Sequence, residues 1–197
     1  MIENNYKTTN NKDASPNRDL LLWAEIKKGN SEALSEMFYK YYDDLFFYGK
    51  KFTNDNNRIE DTIQNVFIKI WEYRNKNYSV DYVKTYVFKI FRNELIRKKN
   101  KLTFSSLLQS NSNCLDKNFS ISCEDLIIEK ETRSEKKALI SDLLKNLSPR
   151  QKEIIYLKFY LNFSNTEISN TLSINKQSVS NMLNRIFTEL RKKIKKQ

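Results

Sequence analysis

Along the first hundred residues, apolar side chains return every three or four positions, the spacing that lays them along one side of a helix. "DLLLWAEIKKGN" predicts a short helix stopped by Gly29. A longer one follows, with Leu34, Met37, Phe38, Tyr41, Leu45, Tyr48 and Phe52 in register. Two more stripes complete the set: Ile59, Ile63, Val66, Phe67, Ile70 and Trp71, then Val83, Tyr86, Val87, Ile90, Phe91 and Leu95. Four amphipathic helices whose faces need one another predict a compact unit over residues 18–101. Before it, residues 1–17 are polar and aperiodic and predict a disordered tail. After it, residues 102–125 mix Ser, Asn and isolated apolar positions, the composition of a flexible linker. Periodicity resumes over 126–194, a second helical unit.

Within that unit two helix starts are written into the sequence. Ser148, Pro149 and Gln151 supply an N-cap, a first-turn proline and a partner three residues after the cap; Ser164 and Glu167 repeat the device. Next comes "NTEISNTLSINKQSVSNMLNRI", two short helices meeting at a turn. Ile168, Leu172, Ile174, Val179 and Met182 supply the contacts of a helix-turn-helix, and Ser169 is the small residue that permits close approach. Glycine usually holds the turn with a positive φ; here the position is Ser173, at a cost on the order of 1 kcal/mol. A helical hairpin without a DNA role fits the same pattern.

Composition agrees with an all-α chain, since two glycines and two prolines in 197 residues leave little punctuation for hairpins and sheets. The formal net charge is +11. Basic residues gather in two places, 84–101 and 185–197, as two contacts with a polyanion would require. Exposed Asn175, Lys176, Gln177, Ser178, Ser180, Asn181, Asn184 and Arg185 could face a major groove, where Asn, Gln and Arg read base edges and Lys and Ser hold phosphates. Arg150 joins this set as a further cation. Lys84, Lys89, Arg92, Asn93, Arg97 and Lys98 are expected on the solvent side of the fourth helix.

Histidine is absent, and the two cysteines, Cys114 and Cys123, lie in a polar stretch, so neither a zinc site nor another cofactor is expected. No glycine-rich phosphate loop or nucleophile pattern suggests an enzyme. Without a signal-peptide core or a long apolar run, a cytoplasmic chain with free thiols and no membrane insertion is expected.

"IEDTIQNVFIKIW" resembles region 2.2 of bacterial RNA polymerase sigma factors, through Asp61, Gln64, Phe67 and Trp71. "VKTYVFKIFRNELIRKKNK" resembles regions 2.3 and 2.4, with Tyr86, Phe88, Arg92 and Asn93 in place, and residues 147–194 resemble region 4. Nothing resembling regions 1.1 or 3 is seen, so the chain looks like the compact extracytoplasmic-function (ECF) group of the sigma-70 family. The resemblance implies two helical domains, a region 2 bundle (18–101) and a region 4 helix-turn-helix (126–194). It implies core RNA polymerase as partner: Asp61, Gln64, Asn65 and Ile68 would meet the β′ clamp helices, with the β subunit as a further contact. Promoter DNA is implied as well. Asn75, Asn77 and Tyr78 would capture a flipped base of the −10 element, Arg92, Asn93, Arg97 and Lys98 would hold its backbone, and the helix-turn-helix would read the −35 element. An anti-sigma factor is an implied partner too.

Linker length is compatible with this. Elements about 25 base pairs apart have centres roughly 85 Å apart. Domains about 30 Å across leave some 55 Å. About 24 linker residues can extend to roughly 80 Å. The second unit alone would equally fit a regulator that binds a palindromic site without polymerase.

Overall fold

The computed structural model describes residues 16–76, 80–101, 119–121, 141–142 and 144–194. Outside them lie almost all of the expected tail, most of the linker with Cys114 and Cys123, most of 126–147, and Asn77 and Tyr78. Helix α1 is Pro16–Lys27, starting two residues inside the expected tail. Proline fixes φ near its helical value and is well suited to a first turn. The helix ends as the sequence predicts: Gly29 has φ +89°, its N–H donates to Ile26 O, and Asn30 N–H donates to Glu25 O. Asn30 then caps α2 (Ser31–Lys50), its side chain accepting from the N–H groups of Glu32 and Ala33. Asp55 caps α3 (Asn56–Glu72) in the same way through Arg58 N–H, and α4 is Val83–Lys101.

These helices bury the faces their periodicity predicts. Met37, Leu45, Tyr48, Ile59, Ile63, Val66, Ile70, Val87 and Phe91 are fully buried. The closest approach is at Gly49 of α2. A Cβ there would lie 2.8 Å from Ile59 Cγ2 and 3.0 Å from Phe91 Cζ, so the missing side chain lets α2, α3 and α4 converge.

The second unit contains α5 (Pro149–Phe159), α6 (Asn165–Leu172) and α7 (Lys176–Ile194). Both expected capping boxes form, Ser148 with Gln151 and Ser164 with Glu167. Ile154, Leu157, Ile168, Leu172, Val179 and Ile186 make its core. No strand occurs among the described residues, and none of the described helices is long and apolar enough to cross a membrane.

The linker composition suggests units held apart; the structure packs them together. α4 lies against α6, and one apolar cluster runs through both units. Phe88 meets Phe163 edge-on at 5.3 Å, and Tyr48 stacks on Tyr156 at 6.0 Å. Lys84 donates to Leu161 O at 3.2 Å. Even part of the linker takes part: Phe119 is 3% exposed among Tyr48, Phe52 and Tyr156, and Ser120 N–H donates to Lys51 O.

Gly49→Ala tests the helix convergence. Alanine ordinarily favours a helix over glycine by about 1 kcal/mol, but overpacking costs about 1–3 kcal/mol. The variant should lose about 1–2 kcal/mol in denaturant unfolding; a gain would contradict the close approach.

Candidate protein and nucleic-acid interfaces

On α3, Asp61, Gln64 and Ile68 point outward from one side of the helix, with Ile68 53% exposed, while Asn65 is half-buried at the edge. An exposed isoleucine beside polar neighbours suits a protein contact better than a phosphate contact. Next to it runs an apolar groove of about 550 Å³ lined by Ser31, Leu34, Phe38, Gln64, Phe67, Ile68 and Trp71. Periodicity alone assigns Leu34, Phe38 and Trp71 to the core; all three are half-buried, because the groove leaves their outer edges uncovered. Phe67 is buried. Trp71 is flanked by Arg74, whose guanidinium carbon sits 4.2 Å from the ring centroid.

The residues expected to hold the −10 strand do not share one surface. Asn75, Asn93 and Arg97 are exposed. Arg97 pairs with Glu94 at 2.9 Å, and Lys69 donates to the same carboxylate. Burial raises the Glu94 carboxyl, but Lys69 and then Arg97 outweigh it and hold the group below its ordinary value. Lys98 lies on α4, its side chain outside the described residues. Arg92 departs from expectation outright. It is 4% exposed, donating through Nε to Glu153 Oε1 at 2.7 Å and through Nη2 to Oε2 at 3.0 Å. The second unit covers the part of the expected α4 solvent face that carries Arg92, while Asn93 and Arg97 stay outside the contact. Lys84, expected on the same face, is half-buried near Asp44 and over the Phe163 ring.

In the helix-turn-helix, Ser173 has φ 52° and ψ 45°, the left-handed conformation its position requires. Ser169 is buried at the crossing, its hydroxyl donating to Thr166 O. The N-terminal part of α7 presents Lys176, Gln177, Asn181, Asn184 and Arg185 to solvent. Gln177 donates to Asn181 Oδ1 at 3.0 Å, aligning two amides on one exposed row. Asn175 is exposed, with its side chain already accepting from Gln177 N–H at the helix start. Ser178 and Ser180 are half-buried, and Ser180 accepts from Asn165, tying α7 to α6. Arg150 is the second correction. It is half-buried, donates to Leu172 O at 2.8 Å and lies 3.4 Å from Glu153, so it braces the last carbonyl of α6 instead of extending toward DNA.

Two residues at the junction, Glu153 and Phe119, stand outside the sequence pattern, and a third, Tyr48, is expected from it only as part of the α2 apolar stripe. Glu153 is 1% exposed, and its Oε1 also accepts from the Tyr48 hydroxyl at 2.6 Å. Burial, then the Glu153 charge, pushes the Tyr48 phenol well above its ordinary value, so Tyr48 stays a donor. Phe119 fills the space beside them. A carboxylate three and four positions before the apolar Tyr156 and Leu157 is a signal that could have marked Glu153, since it places a charge on an inward face.

The family description "Sigma-70 region 2" matches residues 37–103 and "Sigma-70, region 4" matches residues 137–190, in that order and together over more than half of the chain. The chain belongs to the sigma-70 family. Its two-region build is that of an ECF-type sigma factor. Among solved structures, that of CnrH in complex with the cytosolic domain of CnrY has the same fold, with a TM-score of 0.57. It is 16% identical, and the alignment covers 90% of this chain and 97% of that one. Among curated proteins none matches significantly. As a sigma factor it directs promoter-specific transcription, with core RNA polymerase and promoter DNA as its partners. The α3 face and α4 thus belong to region 2, and α5 to α7 to region 4. Ser173→Gly should stabilise this sigma factor by up to about 1 kcal/mol by removing the left-handed strain, read as a raised thermal midpoint; a fall would show that Ser173 contributes more than its φ.

Proposed function

We propose that this sigma factor docks on core polymerase through Asp61, Gln64, Asn65 and Ile68, with the clamp helices of β′ as the receiving surface and β as a further contact. The observation that carries the reading is the α3 face, where a polar pair and a bare isoleucine border an apolar groove. A two-helix coiled coil has the shape and the apolar ridge to lie there.

The −35 element is read by Asn175, just before α7, and by the α7 row of Lys176, Gln177, Asn181, Asn184 and Arg185, with Ser178 and Ser180 closer to the α6 contact. Asn75, Asn77, Tyr78, Asn93, Arg97 and Lys98 capture and hold the melting −10 strand. In the packed arrangement Arg92 and Arg150 stand outside the DNA-contact set, because their guanidiniums are engaged inside the protein. The sigma factor makes and breaks no covalent bond. Melting a few base pairs costs a few kcal/mol, offset by the captured bases and by polymerase contacts. It works in the cytoplasm, and an anti-sigma factor that covers the same surfaces is its natural antagonist.

Run-off transcription with matched core polymerase tests the reading: a promoter-dependent transcript should appear only when both are present. Tight binding to a palindromic site without polymerase would overturn it. Gln64→Ala combined with Ile68→Ala should weaken core binding at least about tenfold while leaving the far-ultraviolet circular dichroism unchanged. Asn181→Ala should weaken −35 DNA binding by about 1–3 kcal/mol.

A further inference from the structure

The Arg92–Glu153 pair joins two regions that the proposed function needs apart. A closed body of about 180 residues is about 40 Å across, whereas elements about 25 base pairs apart have centres roughly 85 Å apart. The closed form therefore cannot engage both. Nor is the contact a loose collision of surfaces. Glu153 on α5 accepts from Arg92 on α4 in a two-pronged pair and from Tyr48 on α2, all three side chains buried, with Arg150 of α5 itself a longer contact at 3.4 Å. Separating the units takes Glu153 from its two buried cross-unit donors and Arg92 from its carboxylate in one step, while water reaches these groups only once the units part.

We infer that Glu153, Arg92 and Tyr48 form a latch that holds the free sigma factor closed, withholding Arg92 until the units separate. Phe119 makes the latch tighter than two domains on a slack tether. It anchors the linker between Tyr48, Phe52 and Tyr156, so opening must also expel a buried aromatic ring. Asp61, Gln64, Ile68 and the exposed row of α7 remain outward in the closed form. Polymerase and DNA can therefore make first contact before the latch opens, and their differential affinity for the open form drives the change. Opening also returns Arg92 to the α4 surface beside Asn93. This inference rests on the polymerase and promoter reading above only for its consequence; the latch itself is a property of the free chain.

Small-angle scattering of the full chain separates the two states. Wild type should have a radius of gyration near 17 Å, and Glu153→Gln or Tyr48→Phe should shift it toward about 25 Å, the value for two small bodies on a flexible linker. Circular dichroism reports whether each variant keeps its helices. The reversed pair, Arg92→Glu with Glu153→Arg, should recover part of the compaction that either single change loses. Glu153→Gln should also raise apparent affinity for core polymerase at least about fivefold, because closure reduces affinity by the fraction of open molecules. An extended wild type, or a folded Glu153→Gln as compact as wild type, overturns the latch. Expansion of Glu153→Gln without polymerase binding by any form leaves the latch standing and removes the polymerase reading.

Discussion

One carboxylate decides how this sigma factor is arranged. Glu153 is out of contact with water on α5, and its two short contacts come from elsewhere in the chain, Arg92 on α4 and Tyr48 on α2, with Arg150 of its own helix 3.4 Å away. A buried ion pair is a poor source of net stability, because desolvating both charges offsets much of their attraction. Losing one partner, however, costs about 3–5 kcal/mol while the other stays buried. The pair thus acts less as glue than as a specification. It fixes one relative placement of regions 2 and 4 and penalises slightly displaced ones, and the rings of Tyr156, Phe163 and Phe119 fill the space around it.

That placement divides the surface of the protein by task. The α3 face with its groove and the amide row of α7 both look outward, while the part of α4 nearest region 4 is covered. In the proposed assignment, polymerase docking and base reading need no prior rearrangement, whereas holding the −10 strand with Arg92 does. The order of events in initiation can therefore be built into the packing, with contact preceding opening and opening preceding capture.

Helix positions were legible in the sequence because each helix carries its own period and its own start or stop. Gly29, Ser148 and Ser164 act within a turn of themselves, so no knowledge of the rest of the fold is required. Ser173 was legible for the same reason, as a turn geometry that its neighbours impose. The exposure of Ile68 on α3 was legible because its apolar side chain falls outside the buried stripe. Arg92 and Arg150 were not. A lone basic residue on a polar helix face reads as solvated, and only the carboxylate sixty-one positions away from Arg92 makes its burial tolerable. Phe119 failed similarly, since a single apolar residue in a polar stretch has no period to announce it. Long-range pairing is what periodicity cannot see.

The most direct test is a distance between the two regions, measured in the free protein and again with polymerase and promoter. Fluorophores at exposed Glu72 and Glu189, introduced as cysteines in a chain with Cys114 and Cys123 replaced, would report energy transfer between regions 2 and 4. The account predicts high transfer in the free sigma factor, from labels within a body about 40 Å across, and low transfer once core polymerase and promoter DNA are bound. Low transfer in the free protein, or high transfer that polymerase leaves unchanged, would contradict it.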